Sequence, residues 1–203
     1  MSMGPASYVE RSRSDKRYYE NMRKITLTFG LISGAISSLI MIALVTLGGR
    51  IGFDRGAIIG NTSIVLSFLM VFFGIRTYRD NIGNGQITFL KAFAVGLSIT
   101  LVSCIFYVVT WEVIYYNFLP GFWDAYGAHL VQKLTASGAS PAAVQAKLQQ
   151  VRKYKELYKN PFFNAVLTFI DPFPIGLVIT LISALVLRRK PQPQPEQSPL
   201  PES

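Results

Sequence analysis

The chain has 203 residues, of which 50% are hydrophobic and 15% charged, with a net charge of +9 and a mean hydropathy of +0.34. That balance excludes an ordinary soluble domain, because the apolar residues gather into runs longer than a small core can bury. One cysteine, Cys104, excludes an intrachain disulfide, and with one histidine, His129, it makes no zinc set, so no cofactor is expected. The basic residues flank the apolar runs, which points to anionic lipid headgroups and away from nucleic acid.

In chain order, MSMGPASYVERSRSDKRYYEN is polar and basic, and residues 1–21 are expected to form a flexible extension. Met22-Arg23-Lys24 is itself a regular beginning for a membrane protein and leads into the first of four apolar segments, 25–47, 57–75, 92–115 and 162–187. About 20 residues cross a hydrocarbon core, and none of the segments shows the alternation of a barrel strand. The expected fold is therefore all-α, an integral membrane domain over residues 22–190 with four transmembrane helices. The first run is too long for a signal-peptide core and reads as a retained anchor. Gly30, Gly34 and Ser38 lie on one face of it, and Gly56 with Gly60 opens the second, a spacing that lets helices approach closely. Gly83-Asn84-Gly85 reads as a turn, and Cys104 as a small packing residue.

Residues from about 120 to 160 read as a helical hairpin between helices three and four. Trp123, Tyr126, Leu130 and Leu134 recur at helical spacing, and Ala136 to Ala139 break the pattern. Ser140-Pro141 is a cap followed by a first-position proline, and Val144, Leu148, Val151, Tyr154 and Tyr158 form a second stripe. Such a hairpin packs on itself or on headgroups, or offers a docking surface. Residues 191–203, rich in proline, read as an extended tail.

Twelve Lys and Arg residues fall on one side of a four-pass chain, in the amino-terminal segment, the loop at Arg76, Arg79 and Lys91, and the end at Arg188, Arg189 and Lys190. The other short loop carries only Arg50 and Arg55. By the positive-inside rule both termini are cytoplasmic and the hairpin is extracytoplasmic, in a bacterial inner membrane.

Two acids lie inside the spans, Glu112 and Asp171. Counting from Lys91 and Arg188 at 1.5 Å per residue sets them roughly 31 and 25 Å from the inner boundary, both toward the outer interface. Asp171 precedes Pro172, and Phe173 precedes Pro174, so the fourth span is expected to break there, with Asp171 capping the helix that follows. Glu112 is expected to pair with Arg50 or Arg55. These groups serve assembly, or they form a cation or proton site at a broken helix.

FGIRTYRDNIGNGQITFLKAFAVGLSIT, YVVTWEVIYYNF, SGAS and YKNPFFNAVLTFIDPFPIGLVITLISALVLRRK occur in this order. Together they resemble a bacterial membrane family, domain of unknown function four-one-nine-nine, over about residues 22–190. The resemblance implies a small four-helix inner-membrane protein with a large outer loop, and it supplies no activity or catalytic residues. The expected function is non-catalytic, through helix packing or contacts with a membrane partner or a second copy. A small channel or transporter subunit using Asp171 and Glu112 is the second reading. A membrane enzyme is the third, since no nucleophile–base pair or metal set is visible.

Overall fold

The computed structural model describes residues 5–189 and is all-helical: α1 Pro5–Ile51, α2 Phe53–Asn81, α3 Phe89–Phe118, α4 Phe122–Ala136, α5 Pro141–Leu157, α6 Pro161–Ile170 and α7 Phe173–Leu187. Among the described residues, four helical stretches are long and apolar enough to cross a membrane: Tyr19–Gly48, Phe53–Asn81, Phe89–Phe118 and Pro161–Leu187. Each contains one of the expected apolar segments. The chain is thus a multi-pass membrane protein by length and composition of its helices.

One expectation is overturned at the amino terminus. Residues 5–21 do not form a flexible extension but continue α1 as helix. Pro5 presets the first turn, and no glycine or proline follows until Gly30. Residues 1–4 and the proline-rich tail lie outside the described residues.

Helix α3 is central and touches α1, α2, α6 and α7. Its register against the others follows from close contacts. A Cβ added at Gly30 would stand 2.7 Å from Val102 Cβ, and one at Gly34 2.7 Å from Phe106 Cβ, so α1 and α3 run parallel in near backbone contact. Ser103 fixes the same crossing, donating to Gly30 O at 3.1 Å while also bonding its own helix at Ile99 O, 2.9 Å. Helix α2 runs antiparallel to both, with Gly74 against Phe29 and Ile99.

The core lies at the crossing of α2, α3 and α7. Val71, Ile75, Ile99, Thr100, Thr180 and Ala184 are fully buried there. Gly96 and Gly176 make room: a Cβ at Gly176 would meet Thr100 Cγ2 at 2.5 Å and the Phe68 ring at 2.8 Å. Around this core a belt of large apolar side chains, among them Leu39, Leu66, Ile105 and Val186, points outward as lipid-facing residues do.

The helical pair α4–α5 is antiparallel. Trp123 stacks on Tyr154 with centroids 5.6 Å apart, Lys155 bonds Asp124 at 2.5 Å, and Gly127 faces Val151. Ser140 caps α5 through Ala143 N at 3.3 Å. Gly138, at φ 77°, turns the chain between the two helices in the left-handed region open to glycine. The pair also packs on the end of the bundle, where the Phe53 ring meets Phe122, Tyr126 and His129 with centroids 5.2 to 6.1 Å apart.

Candidate functional site

Side-chain hydrogen bonds between the helices of the bundle fall at two levels along α3. At the lower, the Thr100 and Thr180 hydroxyls share a hydrogen bond of 3.0 Å, wholly buried between α3 and α7. At the upper, Asn164 is fully buried, and its Oδ1 accepts from Trp111 Nε1 at 3.1 Å and from Thr168 Oγ1 at 3.2 Å. Ser38 donates to Thr110 at 2.9 Å at that same level, from the α1 side. All but the Thr168 bond, which lies within α6, join helices, and each satisfies a hydroxyl, indole or amide that hydrocarbon would leave without a partner. Two buried atoms near the upper level lack one, Asn164 Nδ2 and Glu112 Oε1.

Asp171 sits between these levels. With Thr180 opposite Thr100 and Asn164 opposite Trp111, its place on α6–α7 is opposite the Cys104–Tyr107 turn of α3. That is near the middle of Phe89–Phe118 and about 10 Å along the helix from Glu112. The expectation that both carboxylates share one outer level is therefore corrected. The bridge between Ile87 and Arg189 is the reason, since it draws the end of α7 below the start of α3, and a depth counted from Arg188 begins too low.

The expected cap is corrected as well. Asp171 is helical, at φ −67° and ψ −58°, and accepts no bond from the next helix, whose preceding residue, Pro172, offers no side-chain cap. Only Asp171 and Pro172 interrupt the fourth span, and α7 starts again with Gly176 N bonding Pro172 O at 3.0 Å. Pro172 is buried and Pro174 exposed. Their missing amides leave the carbonyls of Thr168 and Ile170 without helical donors, which explains a short interruption without a wide break. The Asp171 side chain is exposed on the bundle, with no hydrogen bond or ion pair among the described residues.

Glu112 does not pair with Arg50 or Arg55. The register of α1 on α3 sets Glu112 level with residue 40, ten residues or about 15 Å short of Arg50. Both arginines are exposed. The acid of their loop, Asp54, instead receives Lys133 Nζ at 2.7 Å and meets His129 Nε2 at 3.4 Å, which ties α4 to the start of α2. His129 is thus a docking residue of the helical pair.

Of the expected packing glycines, Gly30 and Gly34 lie against α3, whereas Gly56 meets nothing within 4 Å and Gly60 meets Leu44 at an ordinary 3.7 Å. The first turns of α2 stand apart from α1, and their contacts go to the helical pair. Gly96 and Gly176, which also meet their neighbours closely, were not anticipated. A signal for them exists in the small residues that repeat every fourth position, Gly96, Thr100, Cys104 and Gly176, Thr180, Ala184.

At the opposite end, the turn at Gly83-Asn84-Gly85 is closed by Gly85 N bonding Arg79 O at 3.0 Å and Gln86 N bonding Gly83 O at 2.9 Å. Tyr116 Oη donates to Tyr158 O at 2.8 Å and joins the end of α5 to α3. Burial pushes the Tyr158 phenol above its ordinary range, so it remains a neutral hydroxyl beside Thr168. No group of three His, Cys, Asp or Glu side chains among the described residues is placed to hold a metal ion.

A comparison with curated proteins and with solved structures gives no match to either. A family model, described as a protein of unknown function (DUF4199), matches residues 28–189, which include all of α2 to α7 and most of the apolar part of α1. The chain belongs to that family of unknown function.

Proposed function

We propose that this chain is a non-catalytic, multi-pass protein of the bacterial inner membrane that works by assembling with a second copy or another membrane protein. Both termini face the cytoplasm and the α4–α5 pair lies outside, as the twelve-to-two distribution of Lys and Arg supports. One observation carries the assembly reading: Asp171, halfway along a span, is exposed and makes no hydrogen bond or ion pair among the described residues. A carboxylate facing hydrocarbon costs several kcal/mol, so it requires a polar group from a neighbour. Among the polar groups that face inward, Thr100–Thr180, Ser38–Thr110 and Trp111–Asn164 join helices, and Ser37, Ser63 and Ser67 bond the backbone of their own helix. That use of inward polar groups is structural.

Crosslinking in native membranes, with a single cysteine at Ile170 and Cys104 replaced by Ala, tests the reading. A discrete crosslinked species in the wild-type background, lost with Asp171→Leu, is expected. A chain that stays uncrosslinked and monomeric in the membrane would refute it.

A small channel or transporter subunit is the second reading, and the unpartnered Glu112 Oε1 and Asn164 Nδ2 favour it. Ion or proton flux in proteoliposomes that falls with Asp171→Asn and Glu112→Gln would select this reading. Flux unchanged in both variants would remove it.

A further inference from the structure

We propose that the recess at the α2–α3 turn binds the phosphate of an anionic phospholipid headgroup, with Lys91 and Arg189 as its cationic groups. The recess has a volume of about 190 Å³, and Tyr78, Gly83, Gln86, Thr88, Lys91 and Arg189 line it. The site deepens the membrane reading above and rests on it for the leaflet, since this end is the cytoplasmic one in that orientation.

Backbone bonding builds the site. Ile87 and Arg189 exchange both of their peptide hydrogen bonds, at 3.2 and 2.9 Å, which brings the end of α7 beside the start of α3. The turn itself is held from Tyr78 O by the amides of Ile82 and Gly83, at 2.9 and 3.1 Å. Two cations distant in sequence are therefore fixed at one recess by main-chain geometry, and like charges so placed repel unless an anion lies between them.

Among the described residues no carboxylate takes that place. Asp80 is the one acid between Arg76 and Lys91, and Arg79 holds it at 2.7 Å with Arg76 at 3.7 Å. Arg189 acts on Asp80 only at longer range, and among the described residues neither Lys91 nor Arg189 has a carboxylate within ion-pair distance. Gln86 and Thr88, both exposed, add hydrogen-bonding groups at the rim.

A lipid fits this chemistry better than a soluble phosphate because the apolar surface begins at the rim. Leu90, next to Lys91, is 75% exposed, and Val186, three residues before Arg189, is 66% exposed, so apolar side chains stand open to lipid close in the chain to both cations. Basic recesses between helix ends on the cytoplasmic side are suited to anionic headgroups.

Native mass spectrometry of the full chain, titrated with phosphatidylglycerol or phosphatidylcholine, tests the site. Wild type is expected to retain phosphatidylglycerol through detergent exchange. Lys91→Gln with Arg189→Gln is expected to raise its Kd about 25-fold, from about 1 kcal/mol for each basic residue. Lys91→Arg should keep the affinity, and the control pair Lys147→Gln with Arg152→Gln should leave it unchanged. If the double variant does not fold, the single exposed change Lys91→Gln carries the test, with an expected loss of about fivefold. Equal losses in the control pair, or equal retention of phosphatidylcholine, would overturn the proposal. So would inorganic phosphate displacing the lipid at equal concentration, which would assign the recess to a soluble anion. The same spectra report oligomeric state separately, so the absence of an assembly does not bear on the lipid result.

Discussion

The two ends of the bundle are built differently. Toward the α2–α3 turn, α2, α3 and α7 close to backbone contact through Gly74, Gly96 and Gly176, and the single polar pair inside that crossing, Thr100–Thr180, bonds to itself. Toward the α4–α5 pair, the helices are held by aromatic rings and side-chain amides, and Asn164 Nδ2 and Glu112 Oε1 are left over. Close packing thus secures one half, and a polar and aromatic network secures the other. In hydrocarbon the first arrangement rests on dispersion between backbones and the second on hydrogen bonds that lipid cannot supply.

The largest effect on this contrast should come from filling the tight crossing. Gly176→Ala sets a methyl 2.5 Å from Thr100 Cγ2 and is expected to destabilise the chain by about 1–3 kcal/mol, read as a lower melting temperature in detergent. Gly56→Ala, in open space, should leave melting unchanged. Equal behaviour of the two variants would show that the crossing is not tight. Next comes Asn164→Leu, which strands Trp111 Nε1 and Thr168 Oγ1 and is expected to lower stability by about 1–2 kcal/mol. Trp111 fluorescence should shift with it, and an unchanged spectrum and melting curve would remove Asn164 from the network.

A double-mutant cycle on Thr100→Val and Thr180→Val should give a coupling energy of about 0.6 kcal/mol, the usual size for such a pair in a membrane protein. A value of zero would mean that packing alone joins these helices. The smallest effect belongs to Asp54→Asn at the docking of α4. The pair with Lys133 is exposed, so global melting should not move, while hydrogen exchange in Phe122–Ala136 should rise. Unchanged exchange would leave the Phe53 ring contacts as the whole attachment.

Much of this molecule was legible in local patterns. The four apolar runs, the cap at Ser140, the turn at Gly83-Asn84-Gly85 and the two stripes of the helical pair depend on residue type and spacing over one or two turns. The candidate site was less legible. Asp171 and Glu112 stand out as acids within apolar runs, yet their levels came from counts begun at different helix ends. Asn164 drew no notice, because one amide near the start of a span reads as a boundary residue until Trp111 is seen beside it.

The sequence by itself determined which segments are helical and apolar enough to cross a membrane, because length and hydropathy are properties of each segment alone. Only the tertiary structure decided which glycines meet a neighbour, which acids lack a partner, and that Arg189 joins Lys91 at one recess. Those outcomes depend on the register of one helix against another, which is set by the summed contacts of both surfaces and by a main-chain bridge that carries no side-chain signature.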